Sequence, residues 1–199
     1  MISIAAIVEG DGEVAAVPVL LRRLGAWRTP HVPSQILAPI RVQRNRFLNR
    51  PGEFRRHLLL AAAKSGPSGW ILILLDADDD CPVTKGREIL ALARVEVPHR
   101  PVAVVLANRE YEAWFIAGAR SLNGHRSFAS RDGDQTVDSD IPRDAKGWMR
   151  ERMGNAAYRE TTDQPAFSAR MDLEAACANS RSFRKLCDEW TKNMTAPPA

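Results

Sequence analysis

Trp70-Ile71-Leu72-Ile73-Leu74-Leu75-Asp76-Ala77-Asp78 is the stretch that decides the fold. Its apolar run, Trp70–Leu75, has no polar interruption, which predicts a strand covered on both faces in a parallel sheet. Ser65-Gly66-Pro67-Ser68-Gly69 ahead of it is turn chemistry. Working outward, Ile2–Val8 and Pro101–Ala107 (PVAVVLA) read as two more buried strands. Gln35–Val42 reads as a strand that Pro39 confines to an edge or a bulge, because proline cannot donate to a ladder. Apolar residues at Val14, Val17, Leu20, Leu21 and Leu24 predict a helix over Asp11–Leu24, with Pro18 delaying its start or kinking it. Glu53–Ala63 and Thr84–Val95 read as further helices, and another begins near Glu110 with Trp114 and Phe115 on its apolar side. Strand and helix alternating at this spacing imply βαβ units.

The predicted fold class is α/β: a compact, Rossmann-like, mostly parallel sheet of about four strands flanked by helices. Residues 1–119 form that core. Beyond Ala119 the chain changes character, and Ser121–Pro142 reads as a long loop or lid. Asp144–Arg152, Pro165–Asn179 and Arg181–Lys192 read as helices, so residues 120–199 are expected to form a loop and helical extension packed on the core. The tail, Thr195–Ala199, is expected to fray.

Composition narrows the classes. With 45% hydrophobic and 26% charged residues, the 199-residue chain is ordinary for a globular protein. Its three cysteines, Cys81, Cys177 and Cys187, show no zinc or redox spacing and suit a reducing cytoplasm. No apolar run approaches the ~20 residues of a membrane helix. The net charge is +4, and between Arg41 and Arg56 six arginines face a single acid, Glu53. Arg41, Arg44 and Arg46 are therefore candidate contacts to a polyanion, with a solvated surface as the equal alternative.

Two acidic motifs carry the chemistry. Glu9-Gly10-Asp11-Gly12-Glu13 follows the first strand, and Asp76-Ala77-Asp78-Asp79-Asp80 follows the third. Ligands of open α/β sheets sit at the carboxyl ends of the strands, where both motifs fall. Clustered carboxylates repel one another unless a cation joins them, and hard oxygen donors select Mg²⁺ or Mn²⁺. Gly10 and Gly12 are expected to leave room for a phosphate or metal to approach the backbone. Asp76 and Asp78, two residues apart, are expected to share an ion, with Glu9 and Asp80 as further candidate ligands. Asp79 or Asp80 also suits the cap of the following helix. No Gly-Lys-Ser/Thr phosphate loop, dinucleotide fingerprint or Gly-x-Ser-x-Gly elbow is present.

VEGDGE, LLDADDDC, NREYEAWFIA (Asn108–Ala117) and SRSFRKL together resemble a bacterial Toprim-like family, domain-of-unknown-function family 4276. More distantly, Glu-Gly-x-x-Glu after one strand and Asp-x-Asp after another resemble the Toprim domain of overcoming-lysogenization-defect nucleases. The resemblance implies a Toprim-like core in which Glu9 is a metal ligand or general acid/base and Asp76 and Asp78 are metal ligands. It implies that Glu13 is the second acid of the nuclease branch, and it makes Glu112 a further acidic candidate, with Glu110 behind it. It also implies a separate ATPase chain as partner, because this chain lacks the ATPase part of the fused nucleases. Arg181, Arg184 and Lys185 in the last helix are candidate phosphate contacts. The expectation is a Mg²⁺/Mn²⁺-dependent nuclease, acting on DNA in defence against phage or foreign DNA. A non-catalytic nucleic-acid-binding or effector subunit and an enzyme of small phosphorylated substrates are the alternatives.

Overall fold

The structure, a computed structural model, describes residues 1–154 and 156–195, the Gln135 side chain excepted; the end of the expected frayed tail, residues 196–199, lies outside the described residues. Among the described residues, five strands, all parallel, form one sheet. They are β1 (Ile2–Val8), β2 (Ser34–Ile36), β3 (Ile40–Arg41), β4 (Trp70–Asp76) and β5 (Val102–Ala107). Their order is β2-β1-β4-β5, with β3 also paired to β1. The sequence expectation of one strand over Gln35–Val42 becomes two short ones on the same neighbour. Ile4 pairs with Ile36, and Ile7 with Ile40. Three residues of the edge strand therefore face two of β1, a one-residue bulge around Pro39.

Alternation along the strands sorts side chains into two layers. Ile71, Ile73 and Leu75 face α2 (Arg44–Asn49), α3 (Pro51–Ser65) and α4 (Pro82–Glu96), through Phe47, Phe54, Leu58 and Ile89. Trp70, Leu72 and Leu74 face α1 (Asp11–Arg28) and the later helices. Both layers exclude water from the central strands: Ile71, Leu72 and Ile73 have no exposed surface. Burial of each such side chain is worth about 1.5–3 kcal/mol.

The later helices are α5 (Ala113–Ala117), α6 (Ala145–Arg152), α7 (Glu160–Arg170), α8 (Leu173–Asn179) and α9 (Arg181–Thr195). Helix α1 begins at Asp11 and runs through Pro18 without interruption, contrary to a delayed start. The single helix expected over Pro165–Asn179 is two. Helix α7 starts at Glu160 and contains Pro165, and Asp172 then caps α8 by accepting from the Glu174 and Ala175 amides. Met171, Phe183, Leu186 and Trp190 join the core layer of α1. Residues beyond 119 thus share the hydrophobic core of the sheet. Among the described residues, no helix is long and apolar enough to cross a membrane.

Candidate functional site

The register of β1, β4 and β5 brings three strand ends together, because Ile7 pairs with Ile73 and Asp76 with Ala107. Glu9 follows β1, Asp76 closes β4, and Glu110 and Glu112 follow β5. Glu13 enters from the first turn of α1, where the helix dipole favours an anion. Asp76 accepts the Tyr111 amide at 2.8 Å through Oδ1. Glu112 is fully buried, and its Oε1 accepts the Tyr158 hydroxyl and the Gln164 amide, each at 2.8 Å. Glu13 is 5% exposed. The Oε2 atoms of Glu9, Glu13 and Glu112 are buried with no hydrogen-bond partner.

Lys146 on α6 is the cation among these acids. Its Nζ lies 3.3 Å from Glu160 and 4.0 Å from Glu110, and its backbone N–H donates to Glu110 at 3.0 Å. Burial alone would lower the lysine's pKa, but Glu112, Asp76, Glu160 and Glu110 together outweigh it and hold the ammonium charged. One ammonium does not neutralise the cluster. Burial pushes Asp76 well above the usual carboxylate range, and the charges of Glu13, Glu112 and Glu9 add to it. Burial and then Asp78 raise Glu9; burial raises Glu13. Burial also carries Glu112 up to about 7, against the opposing bonds and charge of Gln164 and Lys146. Perturbed acids concentrated in one place are what an unneutralised site looks like.

One expectation is corrected by this geometry. The space over Gly10 and Gly12 is taken by the protein's own side chains. A methyl group at Gly10 would strike the Glu13 carboxylate, and one at Gly12 the Gln164 amide oxygen. The bare backbone there lets Glu13 and Gln164 close over the turn, so that space is not left for a ligand. Asp76 and Asp78 have different partners. The strand ends at Asp76, and Asp78 adopts a left-handed backbone (φ 50°) with its amide bonded to the Arg109 carbonyl at 3.0 Å. Its carboxylate pairs with Arg44 at 3.2 Å, while the other arm of the same guanidinium takes Asp80 at 2.5 Å. Asp79 points to Arg143 and Arg109. Among the described residues, no three His, Cys, Asp or Glu side chains already stand as a metal shell.

Apart from Arg44, the basic candidates are engaged or exposed elsewhere. Arg41 pairs with Asp11 at 3.0 Å, and Arg46 stands exposed on α2. On the opposite layer, Arg181 pairs with Asp140 at 2.7 Å and Lys185 with Glu189 at 2.6 Å. Arg184 donates to the Cys177 and Ala178 carbonyls that end α8. These three line a groove of about 510 Å³ with Cys81, Leu90 and Leu106, away from Glu9 and Asp76. Lys146, Tyr158, Glu160 and Gln164 were invisible in the sequence. They join the site across a long irregular stretch and form no motif with the strand-end acids. The only local signal was the position of Lys146 in the first turn of a helix, where a cation opposes the dipole.

No curated protein and no solved structure matches the chain. A family model described as a domain of unknown function matches residues 8–190, from the last residue of β1 into α9, and so spans every acid of the site. The chain therefore belongs to the DUF4276 family.

Proposed function

We propose that this protein is a Mg²⁺- or Mn²⁺-dependent phosphodiesterase of Toprim-like design, a DNA nuclease of the cytoplasm. One observation carries the reading: Glu9, Glu13, Asp76 and Glu112 crowd the carboxyl ends of three parallel strands beside a single lysine, and Glu9, Glu13 and Glu112 each keep a buried oxygen without a partner. The donor set fits a hard divalent cation, because every unpartnered acidic oxygen is a carboxylate and the crowding disfavours the ionised state in its absence. Glu9, Glu13 and Asp76 would hold the ion, which supplies polarisation of a phosphoryl oxygen and a lowered pKa for water.

The chain's own groups do the rest. Tyr111 fixes Asp76 through its amide, and Tyr158 and Gln164 fix Glu112. Glu112 loses its proton near neutral pH, which suits a group that takes or returns a proton during turnover. Lys146 sets an ammonium beside the acids, where negative charge develops on a phosphoryl group. A role in defence against phage or foreign DNA, with an ATPase partner, rests on the Toprim resemblance alone. Hydrolysis of small phosphate esters is the second reading. It is favoured by the engagement of Arg41, Arg44, Arg181, Arg184 and Lys185 with this chain's own acids and carbonyls, which leaves less free positive charge for a polymer.

The test is cleavage of supercoiled plasmid with Mn²⁺ or Mg²⁺ by the wild type and by an Asp76→Ala, Asp78→Ala double variant. Nicking by the wild type alone is the expected result. Inert plasmid with turnover of p-nitrophenyl phosphate esters moves the assignment to the second reading. Inertness toward both overturns the enzyme.

A further inference from the structure

The geometry points to Arg44 as a latch on the acid site: its guanidinium holds Asp78 aside until a substrate phosphate takes its place, and Asp78 then completes the ligands of the cation. This rests on the phosphodiesterase reading and names how that site is assembled by its substrate.

Arg44 opens α2, and its side chain is only 12% exposed. The guanidinium is spread over Asp78 at 3.2 Å, Asp80 at 2.5 Å and the Ala77 carbonyl at 3.4 Å, while its Nε is buried without a partner. A planar fork bridging two anionic oxygens is the geometry that a phosphate also satisfies, with more charge. The site beside it is incomplete in a specific way. Glu13 and Glu112, both more than nine-tenths buried, keep an oxygen with no partner there. Asp78 and Arg44 both act on this site electrostatically: after burial, their charges are the largest influences on Glu9, Asp78 raising it and Arg44 lowering it.

Asp78 is also free to turn. Its side chain is 60% exposed, so rotation displaces no packed neighbour. Arg44 is thus a positioning residue. Before substrate arrives it neutralises Asp78 and Asp80 from the side; afterwards it faces the phosphate and leaves Asp78 to the cation. Metal affinity and substrate binding become reciprocal, as any coupling between two sites must be.

The experiment is a double-mutant cycle on Mn²⁺ affinity, by isothermal titration calorimetry at pH 7.5 without nucleic acid, on wild type, Arg44→Gln, Asp78→Asn and the double variant. Arg44→Gln is expected to bind Mn²⁺ roughly tenfold tighter than wild type, and the gain is expected to vanish in the Asp78→Asn background. A gain that survives Asp78→Asn is lost repulsion and overturns the latch; so does an unchanged affinity. Arg44→Lys, which keeps the charge but loses the fork that bridges Asp78 and Asp80, should give a smaller gain and serves if Arg44→Gln fails to fold. An eight-nucleotide single-stranded DNA should tighten Mn²⁺ binding in the wild type, and no tightening removes the phosphate from the mechanism. Because the cycle does not read activity, an Asp78-dependent gain in a protein that cleaves nothing upholds the latch and sinks the nuclease. Cleavage without the gain does the reverse.

Discussion

Two groups of buried acids lie within one core and are treated in opposite ways. In the C-terminal part, Asp134 is gripped by Arg152 through two hydrogen bonds of 2.6 and 2.8 Å, and the guanidinium also stacks on Trp148 at 3.5 Å. The Arg152 hydrogen bonds hold the Asp134 carboxyl below its usual range. Asp163 accepts from Arg126 and from the Arg159 amide, each at 2.6 Å. At the strand ends, Glu13 and Glu112 are buried and Glu9 and Asp76 half-buried, with one lysine among them, and all four are pushed upward. Burial of a charge costs free energy wherever it happens. Where a partner offsets the cost, the acid serves the fold. Where none does, the protein tolerates an unstable arrangement, and function is the reason to expect.

The largest effect should come from breaking the satisfied pair. Asp134→Ala strips the buried Arg152 of its closest carboxylate, leaving only the exposed Glu151 at 3.7 Å, and should cost about 3–5 kcal/mol in urea unfolding. A loss below 1 kcal/mol would erase the distinction between the two groups. The opposite sign is expected at the strand ends. Glu112→Gln removes a charge held against burial, and should stabilise the chelator-treated protein at pH 8 on the order of 2 kcal/mol. Destabilisation there would mean that the Glu112 carboxylate serves the fold after all.

pH sharpens the contrast. The native Glu112 carboxyl keeps its proton up to about 7, whereas an unperturbed glutamate loses it near 4.5. The native state therefore binds more protons through that window, and metal-free stability should fall as pH rises from about 4.5 to about 7. Asp134 has the reverse sign. Its contribution is present above the ordinary aspartate value of 3.8 and is lost as pH drops through its lower native value. Urea titrations of wild type and Glu112→Gln should diverge above pH 5 and coincide below it; parallel curves would contradict the assignment. The smallest effect belongs to Arg184→Ala. Its guanidinium closes the end of α8, so a stability loss of about 0.3–1 kcal/mol is expected. The salt dependence of any DNA binding should stay within the ~0.9 log units of one phosphate contact.

The sequence disclosed the sheet because its strands are buried on both faces: WILILL and VAVVLA leave periodicity no other reading. It also disclosed Glu9 and Asp76, since an acid directly after a buried strand lies at the carboxyl edge by topology. It could not disclose where Asp78 turns, which depends on a left-handed residue and on Arg44 arriving from α2. The glycines misled for a related reason. Gly10 and Gly12 mark a close approach, but the approaching groups are Glu13 and Gln164, and Gln164 comes from a helix some 150 residues later. Lys146, Tyr158 and Gln164 were hidden because the irregular stretch ahead of α6 sets their placement, and no spacing rule spans it.

The most direct test is thermal unfolding with and without Mn²⁺, on wild type and on a Glu9→Gln, Asp76→Asn double variant. The strand-end acids predict that Mn²⁺ raises the midpoint of the wild type, by about 2.7 kcal/mol of stability at a hundredfold excess over Kd, and leaves the double variant unmoved. An equal rise in both proteins, or none in the wild type, would contradict a cation site among these acids.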